Sequence, residues 1–274
     1  MKLKYFGTAA YEGFPAMGCE CDACKRARRA GGKNLRSRTQ AMVNDDLLLD
    51  FPADSVWHFM QYGIDYGRIK ACLISHSHSD HLYPADIEAF GKGYCHNDRK
   101  APLHFYAGES GYKLISAKTE LERMQGRADC TLVKPFEKFS VGGYEILPLK
   151  ASHEPATSPV LYRIGKEGKS LLFAHDTGAF CEETWKALEK AGRLDLVSLD
   201  SNGEMGVSDS CRHLAFDTAI EVFDGMKKRG IADEKTVMVA NHFSHNCKKT
   251  YDDMLPYGEK YGVVISYDGL EIEF

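Results

Sequence analysis

Residues 76–81 read His76-Ser77-His78-Ser79-Asp80-His81, three imidazoles and a carboxylate within six positions. So many polar rings in one turn are costly to bury unless they share a bound ion. The spacing suggests two ions rather than one, and imidazole with carboxylate suits zinc, manganese or iron. The run follows Ile69, Ala71, Cys72, Leu73 and Ile74, an apolar segment that reads as a buried strand. The ligands then stand just past the C-terminal end of a strand, the usual site position in layered α/β proteins.

Short apolar segments predict further strands over 2–6, 41–49, 103–106, 144–150, 160–164, 170–174, 194–199, 237–240 and 263–265, besides 69–75. Helices are expected over 84–93, 182–191, 215–229 and 249–261. In the third of these Phe216, Ala219, Ile220, Phe223 and Met226 make a helical stripe ended by Gly230. Strands with turns, followed by strands alternating with helices, fit one α/β domain over residues 1–274, built of two facing sheets with outer helices. Hydrophobic residues at 43% supply a sizeable core. Residues 91–130, with His96, His104, Tyr94, Tyr106 and Tyr112, resist pattern reading and are carried only as a candidate pocket wall or lid.

Two ions need more than four ligands. His153, Asp176 and His242 each follow a predicted strand. One such residue is a weak signal, because Asp and His are common in turns for local hydrogen bonding. Repetition carries the inference: strand ends read in order give HxHxDH, H, D and H. That order resembles the metallo-β-lactamase superfamily over nearly the whole chain. The resemblance implies an αβ/βα sandwich of two mixed sheets flanked by helices, with the metals at one edge. It implies one ion on His76, His78 and His153, a second on Asp80, His81 and His242, and Asp176 bridging both. Asp50 matches the family's supporting first-motif Asp, although Phe51-Pro52 follows it where the family has a small residue and Gly.

Nine cysteines, an odd number, favour thiols and metal ligands over disulfides. Six of them, Cys72, Cys95, Cys130, Cys181, Cys211 and Cys247, are scattered; Cys19, Cys21 and Cys24 form CxCxxC, which suits tetrahedral zinc but lacks a fourth ligand. The run Gly18-Cys19-Glu20-Cys21-Asp22-Ala23-Cys24 resembles the N-terminal segment of PhnP-type phosphodiesterases. There the three Cys bind a structural zinc with a His three residues beyond the last active-site His, which here is His245. Ala174-His175-Asp176-Thr177-Gly178, Leu199-Asp200-Ser201 and Tyr267-Asp268-Gly269-Leu270-Glu271-Ile272 resemble segments of the same branch, as does Arg212-His213-Leu214 opening a helix. The resemblance gives His213 a catalytic role at the phosphate, and an imidazole is a suitable general acid near neutral pH; a local capping role is the alternative.

The implied cofactors are two divalent ions, manganese or zinc with iron admitted, and one structural zinc. The implied activity is hydrolysis of a small phosphodiester, cyclic ones included, by a metal-bridged hydroxide, with Asp80 and His213 as catalytic residues. The alternatives are a hydrolase of another ester, thioester or lactam, and a cofactor-handling metal protein without catalysis. A net charge of -4 argues against a general nucleic-acid surface. The basic run Lys25, Arg26, Arg28, Arg29, Lys33, Arg36 and Arg38 reads first as a solvated helix face and second as a phosphate-attracting patch. Met1-Lys2-Leu3-Lys4-Tyr5-Phe6-Gly7 lacks a signal-peptide core, and no stretch nears a membrane span. A cytoplasmic protein without a stable nucleic-acid or membrane partner is expected; a homodimer is admitted but not specified.

Overall fold

A computed structural model describes residues 1–96, 101–207 and 212–274; Cys211 lies outside them. The first sheet contains β1 (Lys2–Gly7), β2 (Gln40–Val43), β3 (Leu47–Leu49), β4 (Ala71–Leu73), β5 (Leu103–Ala107) and β6 (Ala128–Leu132). The second contains β7 (Phe139–Val141), β8 (Tyr144–Lys150), β9 (Val160–Lys166), β10 (Lys169–Ala174), β11 (Leu196–Asp200), β12 (Val237–Asn241) and β13 (Val264–Ile265). Strand β14 (Glu271–Glu273) returns to the first sheet, giving the orders β14-β1-β2-β3-β4-β5-β6 and β13-β12-β11-β10-β9-β8-β7. Both sheets are mixed: β3 through β6 run parallel, as do β10 through β13, and the remaining pairs are antiparallel.

Side chains alternate across each sheet. In β10, Leu171 and Phe173 enter the core between the sheets, while Leu172 and Ala174 enter an outer core. In β4, Ala71 and Leu73 face inward and Cys72 faces the other outer layer. Coverage on both faces explains why these strands read as unbroken apolar runs rather than alternating ones. Helices α4 (Glu182–Ala191), α5 (Phe216–Lys228) and α6 (Tyr251–Tyr261) cover the second sheet. Helix α5 buries Phe216, Ala219, Phe223 and Met226, one face at 3.6-residue spacing. Helix α6 starts in a capping box, with Asp253 N–H donating to Thr250 Oγ1 and Thr250 N–H donating to Asp253 Oδ2.

Three expectations need correction. The predicted strand 41–49 is two antiparallel strands, β2 and β3, because Asn44 and Asp45 take positive φ and reverse the chain. The predicted helix 84–93 is a 3-10 segment, Pro84–Phe90, that buries only Ile87. Among the described residues of 91–130 lie β5, α3 (Glu109–Thr119) and most of β6, so those residues build the first sheet and its outer layer rather than a lid. There His104 pairs with Asp129 and Thr131, and Tyr106 stacks on Phe139. Helices α1 (Asp22–Ala30) and α2 (Ser55–Tyr62) also form.

Candidate metal centre

Parallel strands put their C-terminal ends on one edge. Strands β3 and β4 deliver Asp50 and the His76–His81 turn there; β8, which runs with β10 after two reversals, delivers His153, while β10, β11 and β12 deliver Asp176, Asp200 and His242. Asp50, Asp176 and His242 have φ of 64°, 50° and 61°. These left-handed residues turn sharply off their strands, at a cost of about 1–3 kcal/mol each for non-glycine side chains. The His76–His81 turn is closed by His81 N–H and Leu82 N–H donating to His78 O.

Two groups of side chains result. His76 Nε2 lies 3.0 Å and His153 Nε2 3.2 Å from His78 Nδ1. Asp80, His81 and His242 form the second group. Asp176 stands between them. Its Oδ2 is 2.7 Å from His81 Nε2 and 3.1 Å from His242 Nε2, and its Oδ1 is 3.7 Å from His153 Nε2.

The residues fit metal ions, and the hydrogen bonds around the rings show why. Thr39 Oγ1 donates to Ala9 O, so at its 2.9 Å contact with His242 Nδ1 it accepts. Ser75 Oγ donates to Asp50 Oδ2 and therefore accepts from His76 Nδ1. His81 Nδ1 donates to Asp50 Oδ2 at 2.7 Å, and His153 Nδ1 to Arg212 O at 3.2 Å. In each neutral ring the proton sits on Nδ1 and the lone pair on Nε2 faces the centre. His81 Nε2, His242 Nε2 and Asp176 Oδ2 are buried atoms without a hydrogen-bond partner. Lone pairs facing at about 3 Å repel unless a cation lies among them. Buried carboxylates add to this demand for positive charge. Burial opposes a charged ring at His81, yet Asp176, Asp80 and Asp50 outweigh it and hold its pKa well above the ordinary value. Burial likewise opposes ionised Asp176, but His242 and His81 keep its carboxyl well below the usual range.

Beside this centre His213 Nδ1 donates to the buried Asp200 Oδ2 at 2.9 Å, and Asp200 Oδ1 accepts from Asn202 N–H at 2.8 Å. Burial opposes charge on His213, but Asp200 prevails and its pKa is pushed up to about 9. A cleft of about 400 Å³ opens over these groups, lined by His78, Asp80, His153, Asp176, His213 and His242, with Tyr11, Glu12, Glu154 and Arg212 at its sides.

A second cluster brings together Cys19, Cys21, Cys24 and His245. Cys21 is the N-cap of α1 and its sulfur accepts from Cys24 N–H. Burial would raise the Cys21 thiol, but the Cys24 amide and His245 bring it down to about 6. His245 Nδ1 is 3.2 Å from Cys19 Sγ. Three sulfurs and one imidazole within reach of one another are a tetrahedral zinc donor set.

The structure thus brings together all seven predicted ligands of one centre and all four of the other. The basic run is instead engaged locally. Arg26 pairs with Asp253, Lys25 and Arg28 with Glu20, and Arg38 with Asp54, while Arg36 is buried and donates to Ser266 O. Asp200 and Thr39 were not singled out from sequence as site residues. Asp200 carries a detectable signal, an Asp closing a strand like Asp176; Thr39 carries none, because its partner is 203 positions away.

With the geometry in place, comparison gives the class. Residues 56–243 match the beta-lactamase superfamily domain. The chain belongs to that family, which puts it among the metallo-β-lactamase-fold hydrolases. A diphosphatase from the PhnP family superposes with a TM-score of 0.76 at 18% identity, covering 100% of this chain and 96% of that one. Zn(2+)-bound PqqB from Methylobacterium extorquens superposes with a TM-score of 0.69 at 16% identity, covering 100% of both. Exodeoxyribonuclease WalJ of Streptococcus pneumoniae is 28% identical over 126 residues, or 45% of this chain; the match spans 42% of that relative's length. No helix among the described residues is long and apolar enough to cross a membrane.

Proposed function

We propose that this protein is a metal-dependent phosphodiesterase acting on a small phosphodiester. The observation that carries the reading is the His213–Asp200 pair, an imidazole held by a buried carboxylate at the rim of the ligand cluster. Two divalent ions, manganese or zinc, would be held by His76, His78 and His153 and by Asp80, His81 and His242, with Asp176 shared. When bound they supply Lewis acidity and a water of lowered pKa. The protein's own residues do the rest. Ser75, Asp50, Thr39 and Arg212 O fix the ring tautomers so that lone pairs converge. Asp200 holds His213 Nδ1–H, which leaves Nε2 as the atom to carry a proton toward the substrate. A cationic ring there stabilises charge gathering on a phosphoryl oxygen and provides a proton for the departing alkoxide.

The Cys19, Cys21, Cys24 and His245 cluster would hold a structural zinc, with His245 three residues beyond His242. The test is His213→Ala. Both metal groups should stay loaded by elemental analysis, while turnover of bis(p-nitrophenyl) phosphate falls by about 10²–10⁴-fold. Activity within a few-fold of wild type would end the acid assignment. Turnover of a thioester or lactam without any phosphodiester would favour the carbonyl-ester reading instead.

A further inference from the structure

Glu12 belongs to two sites. It lines the cleft beside Asp80, Asp176 and His242. Its Oε1 also accepts the Ser244 hydroxyl and lies 3.6 Å from His245 Nε2. His245 is the histidine whose other nitrogen faces the sulfurs of Cys19 and Cys21 at 3.2 and 3.7 Å. One imidazole and one carboxylate therefore connect the cysteine cluster to the cleft wall. The backbone around them is fixed, since Ala10 N–H donates to Phe243 O and Phe243 N–H to Thr8 O.

We propose that Glu12 couples occupancy of the cysteine cluster to the anion affinity of the cleft, a proposal that rests on reading that cluster as an ion site. A neutral imidazole has one N–H. With a cation among the sulfurs, His245 commits its Nδ1 lone pair to it, so the proton sits on Nε2 and faces Glu12. Ligating histidines are commonly oriented by such a carboxylate; here that carboxylate is also cleft wall. Glu12 is then held toward His245 and Ser244. With the cluster empty, the proton moves to Nδ1 against the nearby sulfur. The bare Nε2 then repels the Glu12 oxygen, and Ser244 alone retains the carboxylate. Glu12 turns into the cleft beside Asp80 and Asp176, and its charge opposes a bound phosphate. The cysteine cluster thereby sets how well the cleft accepts anions without contributing a ligand to it.

The test uses the full-length protein loaded with manganese and zinc, with inorganic phosphate as the probe, titrated by calorimetry. Cys21→Ser should empty the cysteine cluster by elemental analysis and weaken phosphate binding about five- to tenfold. In a Glu12→Gln background the same Cys21→Ser change should alter phosphate binding less than twofold. An equal loss in both backgrounds would overturn the coupling, showing that the cluster acts by bracing the loop. Retention of the full metal complement in Cys21→Ser would overturn the premise. Glu12→Gln alone gives an independent reading if Cys21→Ser does not fold: zinc should leave the cysteine cluster for a chelator at least threefold faster, and an unchanged rate refutes the link. Phosphate titration does not require turnover, so a protein that hydrolyses no phosphodiester still decides this question separately.

Discussion

Thr39→Val isolates what a single hydroxyl does for the metal centre. Thr39 is fully buried, and its Oγ1 sits 2.9 Å from both Ala9 O and His242 Nδ1. Valine keeps the shape and removes the acceptor for the imidazole N–H. Ala9 O keeps the Thr39 backbone N–H at 3.0 Å, so the main orphan is His242 Nδ1–H. Left in place, an unpaired buried donor costs about 1–3 kcal/mol. The metal-free protein has an escape. The proton can move to Nε2, where Asp176 Oδ2 waits at 3.1 Å. The loaded protein cannot use it, because the ion needs that lone pair. The penalty therefore falls mainly on metal binding. Urea unfolding of the metal-free variant should show a loss below about 1 kcal/mol. Chelator competition should show about 10–100-fold weaker metal binding, the usual effect of removing a partner that orients a ligand. Thr39→Ser should stay within about threefold of wild type, since it restores the hydroxyl. If Thr39→Val binds metal as tightly as wild type, the tautomer reasoning fails. If the metal-free and loaded proteins lose equal stability, Thr39 acts only through packing.

Three further outcomes follow from other parts of the molecule. His58 is buried against Gln40 and Ser37, and burial pushes its pKa down to about 3. The unfolded chain takes up that proton near pH 6.5, so stability should fall as pH drops from about 6.5 toward 3, by about 2 kcal/mol between pH 7 and 5. Urea midpoints of wild type and His58→Gln at the two pH values should differ by that slope; parallel behaviour would refute it. A Cβ on Gly7 would stand 1.9 Å from Arg38 O, a backbone atom, so Gly7→Ala should cost more than about 2 kcal/mol, and a melting temperature within a degree of wild type would contradict this. Cys24→Ser should lower bound metal from about three ions per chain to about two by elemental analysis, the cysteine cluster being a four-donor zinc set; an unchanged count would remove that cluster from the reading.

The ligands were legible because His76, His153, Asp176 and His242 each lie within three residues of the end of an apolar strand, and strand ends are local features. Leu47-Leu48-Leu49 before Asp50 and Val237-Met238-Val239-Ala240 before Asn241-His242 announce themselves through their residue types alone. Strands β6 and β7 were not legible. Ala128–Leu132 and Phe139–Val141 lie toward the sheet edges, are partly exposed and carry weak patterns. The same limit hid α2, whose outward face bears the exposed Val56, Trp57, Phe59 and Met60 and so reverses the expected pattern.

Residue types along the chain settle which side chains stand at the strand ends, hence the donor types and their order. Those follow from short-range patterning, where one apolar run and its next turn suffice. The three-dimensional fold is what makes the ends of six strands from two sheets meet at one edge. It alone put Asp176 between two ligand groups, placed Thr39 against His242 across 203 positions, and gave Glu12 a share in both sites. These pairings depend on parallel register and on the stacking of one sheet over the other, which bring distant residues within hydrogen-bonding reach and leave no periodic mark along the chain.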